Sequence, residues 1–142
     1  MDTTTAHQVA LTPAEREALI AGGTLGRSGE ALAARHLRCG HRLDVIARNW
    51  RIVEGSLRGE LDLVAIDERS GTLVVCEVKT RRDAERFGGA VAALDARKHR
   101  RLRALIGAFL RDQPEHYRSV RLDLIAIDAG QRPRLTHLVG LD

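Results

Sequence analysis

The apolar residues of this chain cluster into two runs between residues 59 and 80. There the runs GELDLVAID and TLVVCEVKT flank the polar tetrapeptide ERSG. Two runs rich in Val, Leu and Ile, joined by a short polar segment that ends in Gly, are typical of a β-hairpin. We therefore predict that a hairpin from Gly59 to Thr80 forms the centre of the fold.

The turn of this hairpin decides which side chains meet. If the turn is centred on residues 69 and 70, with a loop of two or four residues, Asp62 lies opposite Glu77 and Glu60 lies opposite Lys79. Side chains alternate between the two faces of a strand, so these four would share one face. A loop of three or five residues would separate them.

Two carboxylates that oppose each other at the end of an apolar face need a counter-charge. Like charges directly across a ladder repel, and a buried charge is costly unless it is paired or bound to a metal. Mg²⁺ is often held by one or two carboxylates together with substrate phosphates. A metal ion held by these carboxylates, with Lys79 beside it, is suited to phosphodiester hydrolysis. The alternative is an ion-pair ladder on an exposed sheet face, with a structural role only.

The sequence before the hairpin begins with a polar stretch and a short helix. Residues 1–11 lack periodicity, so we expect a mobile tail. The segment TPAE at residues 12–15 supplies an N-cap, a proline at the first helical position and an acid three residues after the cap, which favours a helix to about Ala21. We assign residues 1–23 to this tail and helix, and residues 24–142 to the main domain.

A second helix is predicted from about Gly26 to Cys39. Its inward stripe consists of small residues, one leucine and one acid: Gly26, Glu30, Ala33, Ala34 and Leu37. This spacing makes Glu30 a candidate third acid for the hairpin site. An acid in the first turn is also favoured by the helix dipole, which would give Glu30 no part in chemistry.

Three further strands are predicted, over residues 43–51, 120–128 and 134–139, with a loop over residues 52–58 leading into the hairpin. In the second of these strands, Asp123 is expected to pair locally rather than to reach the acidic cluster.

A long helix is predicted from about Asp95 to Arg111, after a basic and Gly-rich connection. Lys98 begins its apolar stripe and is expected to point toward the sheet, where it needs an anionic neighbour. The candidate phosphate contacts are Lys98, Arg81, Arg82 and Arg101, with Arg86 in the connection. Most basic clusters of this kind are simply solvated.

Composition bounds the class of protein. The chain has 142 residues, of which 44% are hydrophobic, enough for one compact domain. Its formal charge of +4 is compatible with a nucleic-acid partner but too small to establish one. Lysine occurs only at positions 79 and 98, whereas the other cationic side chains are arginine, which favours a specific use of the ammonium group at both.

The cysteines and the chain start suggest an intracellular protein. Cys39 and Cys76 have no spacing typical of a zinc site, and a reduced state is the simpler interpretation. The N-terminal sequence has no signal-peptide pattern and no apolar run approaches a membrane span. We therefore expect a cytoplasmic protein without membrane contact.

The order of these motifs resembles the core of PD-(D/E)xK nucleases. More narrowly, GRSGEALAARHL, ARNWR, GELDLVAID, VVCEVKTR and RLDLIAI resemble the YraN family of uncharacterised bacterial proteins, from about Gly26 to Ile127. The combination of GR-x-GE, GE-x-D-L and E-V-K-x-R is specific, although Leu61 stands where the PD dipeptide has proline.

The resemblance implies a fold and a chemistry. The fold would be α/β, with a three-layer restriction-endonuclease-like core in which a mixed sheet with a central β-hairpin is flanked by helices. In restriction enzymes and Holliday-junction resolvases, the acids matching Asp62 and Glu77 bind Mg²⁺, and the lysine matching Lys79 positions or activates the attacking water. Glu30 would complete the metal shell, together with the carbonyl of Val78.

We therefore expect a nucleic-acid-binding protein that acts as a Mg²⁺- or Mn²⁺-dependent endonuclease. It would recognise shape and backbone rather than sequence, with DNA favoured over RNA. Two alternatives stay open: a catalytically silent nucleic-acid-binding module with a nuclease fold, and a structural protein with an ion-pair cluster. A homodimer is compatible with the sequence.

Overall fold

The computed structural model describes residues 4–21, 25–82 and 96–141. These residues form one six-stranded mixed sheet in the order β1-β6-β5-β4-β3-β2. The strands are β1 (Thr5–Ala10), β2 (Asp44–Glu54), β3 (Leu57–Asp67), β4 (Thr72–Arg81), β5 (Ser119–Asp128) and β6 (Arg134–Val139). The helices are α1 (Pro13–Ala21), α2 (Leu25–Arg35), which continues into a π-helical turn (His36–Gly40), and α3 (Ala96–Arg111).

The predicted central hairpin is formed by β3 and β4 in the predicted register. Pairs run from Asp67↔Thr72 to Leu63↔Cys76, around a loop of four residues. Gly71 closes the loop with φ of 71°, and its N–H donates to the Asp67 carbonyl at 2.8 Å. Glycine adopts this left-handed conformation at little cost, so Gly71 at the end of the ERSG loop favours this register.

The sheet is covered on both faces, which gives three layers. β4 and β5 run parallel, and a parallel pair needs a long crossover, which here contains α3. One apolar cluster joins α1 and α2 to the sheet: its buried members include Leu19, Ala34, Leu37 and Leu63. The other cluster joins α3 to the opposite face and includes Leu105, Phe109, Val64 and Val75.

This architecture confirms the predicted α/β class and agrees with a three-layer restriction-endonuclease-like core. Within the described ranges, the helices are too short or too polar to span a bilayer.

The start of α1 is capped as predicted. The Glu15 N–H donates to Thr12 Oγ1 at 3.1 Å, and the Thr12 N–H donates to Glu15 Oε1 at 3.0 Å. These reciprocal bonds satisfy two backbone donors that the helix itself leaves unpaired.

Two segments differ from their predictions. Residues 5–10 form strand β1 rather than a mobile tail, paired antiparallel with β6. All six side chains of β1 are exposed, so the backbone ladder holds the strand and no apolar pattern reveals it. The predicted loop over residues 52–58 is instead a tight turn at Gly55, with β2 and β3 paired from Glu54↔Leu57 onward.

The side of α2 that faces the sheet differs from the prediction at one glycine. Gly29 is buried against β4, whereas Gly26 is exposed. A methyl group at Gly29 would overlap Thr80 Oγ1, whereas nothing lies within 4 Å of one at Gly26. Gly29 therefore allows α2, and with it Glu30, to approach the end of β4 closely.

We predict that Gly29→Ala lowers the free energy of unfolding by about 1–3 kcal/mol, because the β-branched Thr80 side chain cannot move aside without strain. The matched control, Gly26→Ala, should leave stability unchanged or raise it by up to about 1 kcal/mol. Urea denaturation measures both. Adding Thr80→Ala to Gly29→Ala should restore most of the loss, and equal stability of the two single variants would contradict the close contact.

Candidate metal centre at the open end of the hairpin

The hairpin ladder opens at Asp62. The last backbone pair is Leu63↔Cys76, and beyond it the Asp62 side chain takes the place of a backbone acceptor: the Val78 N–H donates to Asp62 Oδ2 at 2.9 Å. In a strand, the N–H and C=O of one residue point to the same side. The Val78 carbonyl is therefore directed to the same side of the strand as its N–H, toward Asp62.

The backbone around Asp62 is irregular on both strands. Leu61 packs with α3 but Leu63 packs with α2, so the regular alternation of faces is interrupted at Asp62. In β2, Asn49 lies between the pairs Arg48↔Leu63 and Trp50↔Leu61, and its φ is 53°. Asparagine tolerates this left-handed conformation better than most residues, and such outliers concentrate at functional sites.

Carboxylates from α2 and β3 converge at this irregularity. Oxygen atoms of Glu30, Glu60 and Asp62 lie within 4.8 Å of one another. Burial raises the pKa of Glu30, and a hydrogen bond with the Asn49 side chain opposes this by lowering it. The strained Asn49 thus holds the α2 acid against the hairpin.

Glu77 supplies the fourth carboxylate. Burial raises the pKa of Asp62 to about 7, and the charge of Glu77 and a side-chain hydrogen bond with Glu77 add to the effect, while the bond from Val78 opposes it. Since one carboxyl group must carry a proton to donate to the other, the pair favours a shared proton or a bound cation over two free charges. The predicted juxtaposition of Asp62 and Glu77 is confirmed.

Two cations that pair with these acids have separate partners. Lys79 Nζ lies 3.1 Å from Glu77 Oε1, as expected for an ammonium on the same strand. Glu60 was predicted opposite Lys79, but its partner is Arg51, whose Nε donates to Glu60 Oε2 at 2.7 Å. The difference arises because the β3–β4 ladder has already opened at this point, while β2 still pairs Arg51 with Glu60.

A cleft of about 180 Å³ connects the acids to α3. It is lined by Gly59, Glu60, Glu77, Lys98, Arg101, Leu102 and Leu105. Lys98 lines this cleft, but the residue is exposed, so the prediction that it points inward as the start of the buried stripe is wrong. Arg101 is fixed at the rim because its Nε donates to the Arg58 carbonyl at 3.1 Å.

The other predicted cations lie at the end of β4. Arg81 and Arg82 are both exposed there. Arg86 lies outside the described residues.

Asp123 takes no part in this centre. Arg121 binds it with two nitrogen atoms, at 2.9 and 3.0 Å, which confirms the predicted local pairing.

The structure adds one residue to the predicted set, Asn49, and gives Glu60 a different partner from the one predicted. Asn49 lies within the strand predicted over residues 43–51, and no local pattern reveals a left-handed residue inside a strand. Glu60 was predicted in the cluster through a pairing with Lys79 that the structure does not form. A polar residue aligned with Asp62 in the neighbouring strand was the signal that would have identified Asn49.

The chain matches known sequences over most of its length. A model of the uncharacterised protein family UPF0102 matches residues 29–127. A UPF0102 protein of Mycobacterium avium is 44% identical over 120 residues, covering 82% of this chain and 88% of the relative. UPF0102 proteins of Mycolicibacterium vanbaalenii and Mycobacterium tuberculosis are 44% and 43% identical, covering 82% of this chain in both cases and 92% and 91% of the relatives. These matches confirm the resemblance to the YraN family.

The raised pKa of Asp62 makes stability pH-dependent. Between about pH 4 and pH 7 the folded protein retains a proton on Asp62 that the unfolded chain releases, because the pKa rises from 3.8 to about 7. Stability therefore falls as the pH rises through this range.

We predict that Asp62→Asn raises Tm in chelator-containing buffer at pH 8 by about 3–8 °C, and by much less at pH 4. Asparagine keeps an acceptor for the Val78 N–H but carries no charge. Thermal melts of the two proteins from pH 4 to pH 8 measure this, with the exposed Asp44→Asn as a control that should not shift. A lower Tm for Asp62→Asn at pH 8 would indicate a stabilising ion-pair cluster instead.

Proposed function

The chain belongs to the uncharacterised protein family UPF0102, and we propose that it is a divalent-metal-dependent endonuclease acting on nucleic acid. The observation that carries this proposal is the convergence of four carboxylates, from Glu30, Glu60, Asp62 and Glu77, at one end of the hairpin. Lys79 lies beside them, and a cleft with cations on its far wall begins there.

The donor set fits Mg²⁺ or Mn²⁺. Hard cations take oxygen ligands, and the side chains that meet here offer carboxylate oxygens. Asp62 and Glu77 would hold the ion, with Glu30 and the Val78 carbonyl completing its protein ligands and Glu60 close by. When bound, such an ion lowers the pKa of a coordinated water and neutralises phosphate charge.

Each carboxylate contributes through its charge. Asp62 must be ionised to act as a ligand, and its raised pKa means that this occurs most readily when a cation replaces the shared proton. The Val78 N–H fixes the orientation of the Asp62 carboxylate. Asn49 fixes Glu30 through its side chain.

Lys79 is suited to orient the attacking water. Its ammonium is held by Glu77 and its side chain is 29% exposed, so the group reaches solvent while its position is restricted. An ammonium with three donors can direct a water and also stabilise negative charge on the phosphate.

Substrate binding would depend on the sugar-phosphate backbone. Lys98 and Arg101 line the cleft, and Arg81 and Arg82 are exposed at the end of β4. We propose DNA, recognised by its shape, as the substrate class, because these cations suit phosphate contacts. The rigid placement of Arg101 favours a fixed strand path past the acids.

We predict that the wild-type protein cleaves DNA in Mg²⁺ or Mn²⁺, and that Asp62→Asn, Glu77→Gln and Lys79→Met each reduce the rate by about 100-fold or more. Labelled duplex, nicked, flap and four-way-junction DNA serve as substrates. Asp44→Asn should cleave like the wild type.

Equal cleavage by the wild type and Asp62→Asn would show a contaminating nuclease. Binding of these DNAs without cleavage of any of them would show a silent binding module. Either result overturns the proposed activity.

A second prediction concerns DNA affinity. In Ca²⁺, with an Asp62→Asn background to suppress cleavage, Lys98→Ala and Arg101→Ala should weaken DNA binding and reduce the slope of log K against log salt by about 0.9 for each lost phosphate contact. Fluorescence anisotropy measures the DNA affinity at salt concentrations between about 50 and 200 mM, and these affinities give the slope. Arg69→Ala, in the hairpin loop at the opposite end of β3, is the control. An unchanged slope in both cleft variants would place the DNA elsewhere.

A further inference from the structure

Four histidines gather on the opposite part of the sheet, away from the acidic centre. His36 begins the π-helical turn after α2, His41 follows that turn, His137 lies in β6, and His7 faces His137 across the β1–β6 ladder. A π-helix bonds residue i to residue i+5, so the turn places His36 and His41 side by side, with ring centroids 4.7 Å apart.

Three of these rings direct nitrogen atoms at one point. His137 Nδ1 lies 3.2 Å from His36 Nε2 and 3.3 Å from His41 Nε2. Two nitrogens on a tetrahedral zinc ion, each at about 2.0–2.1 Å, are separated by about 3.3–3.4 Å. The ring of His7 is adjacent, with its centroid 5.4 Å from that of His41, but its nitrogens are not in the group that lies within 4.8 Å.

A hydrogen bond with Asp123 orients the His137 ring. Its Nε2 lies 2.8 Å from Asp123 Oδ2, and both side chains are fully buried. The pKa of Asp123 is lowered, because hydrogen bonds from His137 and Arg121 outweigh the effect of burial. Asp123 is therefore a carboxylate that accepts the Nε2–H, and a neutral imidazole that donates from Nε2 has its lone pair on Nδ1. A carboxylate behind a histidine is the arrangement that orients metal-binding imidazoles.

Hydrogen bonds alone cannot satisfy all three ring nitrogens that meet at this point. A neutral His137 has one lone pair on Nδ1 and can accept one hydrogen there, yet two rings approach that atom at hydrogen-bonding distance. A single cation would use all three lone pairs.

We propose that His36, His41 and His137 form a zinc site, with Asp123 as the carboxylate that positions His137. Three imidazoles suit Zn²⁺ and not Mg²⁺, which requires oxygen ligands. One tetrahedral position is left for water or another small ligand. His137 is buried but His36 and His41 are half-buried, which gives the ion a path from solvent.

The site would act as a clamp between α2 and β6. His36 and His41 follow directly from the helix that carries Glu30, and His137 lies near the edge of the sheet. The ion would therefore hold α2 in place by a second attachment, independent of the acidic centre.

Metal binding by the full-length protein tests the site. After chelator treatment and dialysis, competition with a chromophoric chelator should give one Zn²⁺ per chain, and saturating Zn²⁺ should raise Tm by at least about 5 °C. Co²⁺ in place of Zn²⁺ should give the intense visible absorption of a tetrahedral centre. In the double variant Asp62→Asn with Glu77→Gln, which removes the acidic centre, absence of one-to-one binding, or an octahedral Co²⁺ spectrum, would overturn the proposal.

Variants then locate the ion. His41→Ala and His36→Gln, at half-buried positions, should each weaken Zn²⁺ binding at least about 100-fold, and Asp123→Asn about 10–100-fold. The exposed His116→Ala is the matched control and should bind like the wild type. A double variant, Asp62→Asn with Glu77→Gln, should also retain full Zn²⁺ affinity. Unchanged binding in both His36 and His41 variants, or loss in the double variant, would overturn the assignment.

Discussion

Repulsion between Asp62 and Glu77 is the constraint on which the proposed chemistry depends. The two carboxylates lie next to each other where the β3–β4 ladder opens, and burial combined with the charge of Glu77 raises the pKa of Asp62 to about 7. A pair of this kind is costly in the free protein because neither solvent nor a full set of cations compensates it. Its cost is relieved by a proton or a divalent cation, and a bound cation would supply the chemistry that the proposal needs.

The surrounding fold keeps the acids together in spite of that cost. Gly29 lets α2 approach Thr80, which brings Glu30 to the hairpin. Asn49 adopts a strained conformation opposite Asp62 and holds Glu30 in turn. Two packed apolar clusters, one on each face of the sheet, supply the rigidity that this arrangement needs.

Much of this structure follows from the sequence because local patterns determine it. The ERSG turn and the alternation of apolar residues fix the hairpin register, and the TPAE segment fixes the start of α1. The segments that differ from the predictions depend on contacts between residues that are far apart in the sequence. Strand β1 is held by a ladder to β6 with no buried side chain. The histidine cluster joins His36 to His137, about a hundred residues apart, so no short spacing could indicate it.

The most direct test of the central claim is a crystal structure of the protein grown with Mn²⁺, with data collected at the manganese absorption edge. The account predicts an anomalous peak bound by the carboxylates of Asp62 and Glu77. A map with no peak there, in crystals grown at saturating Mn²⁺, would contradict it.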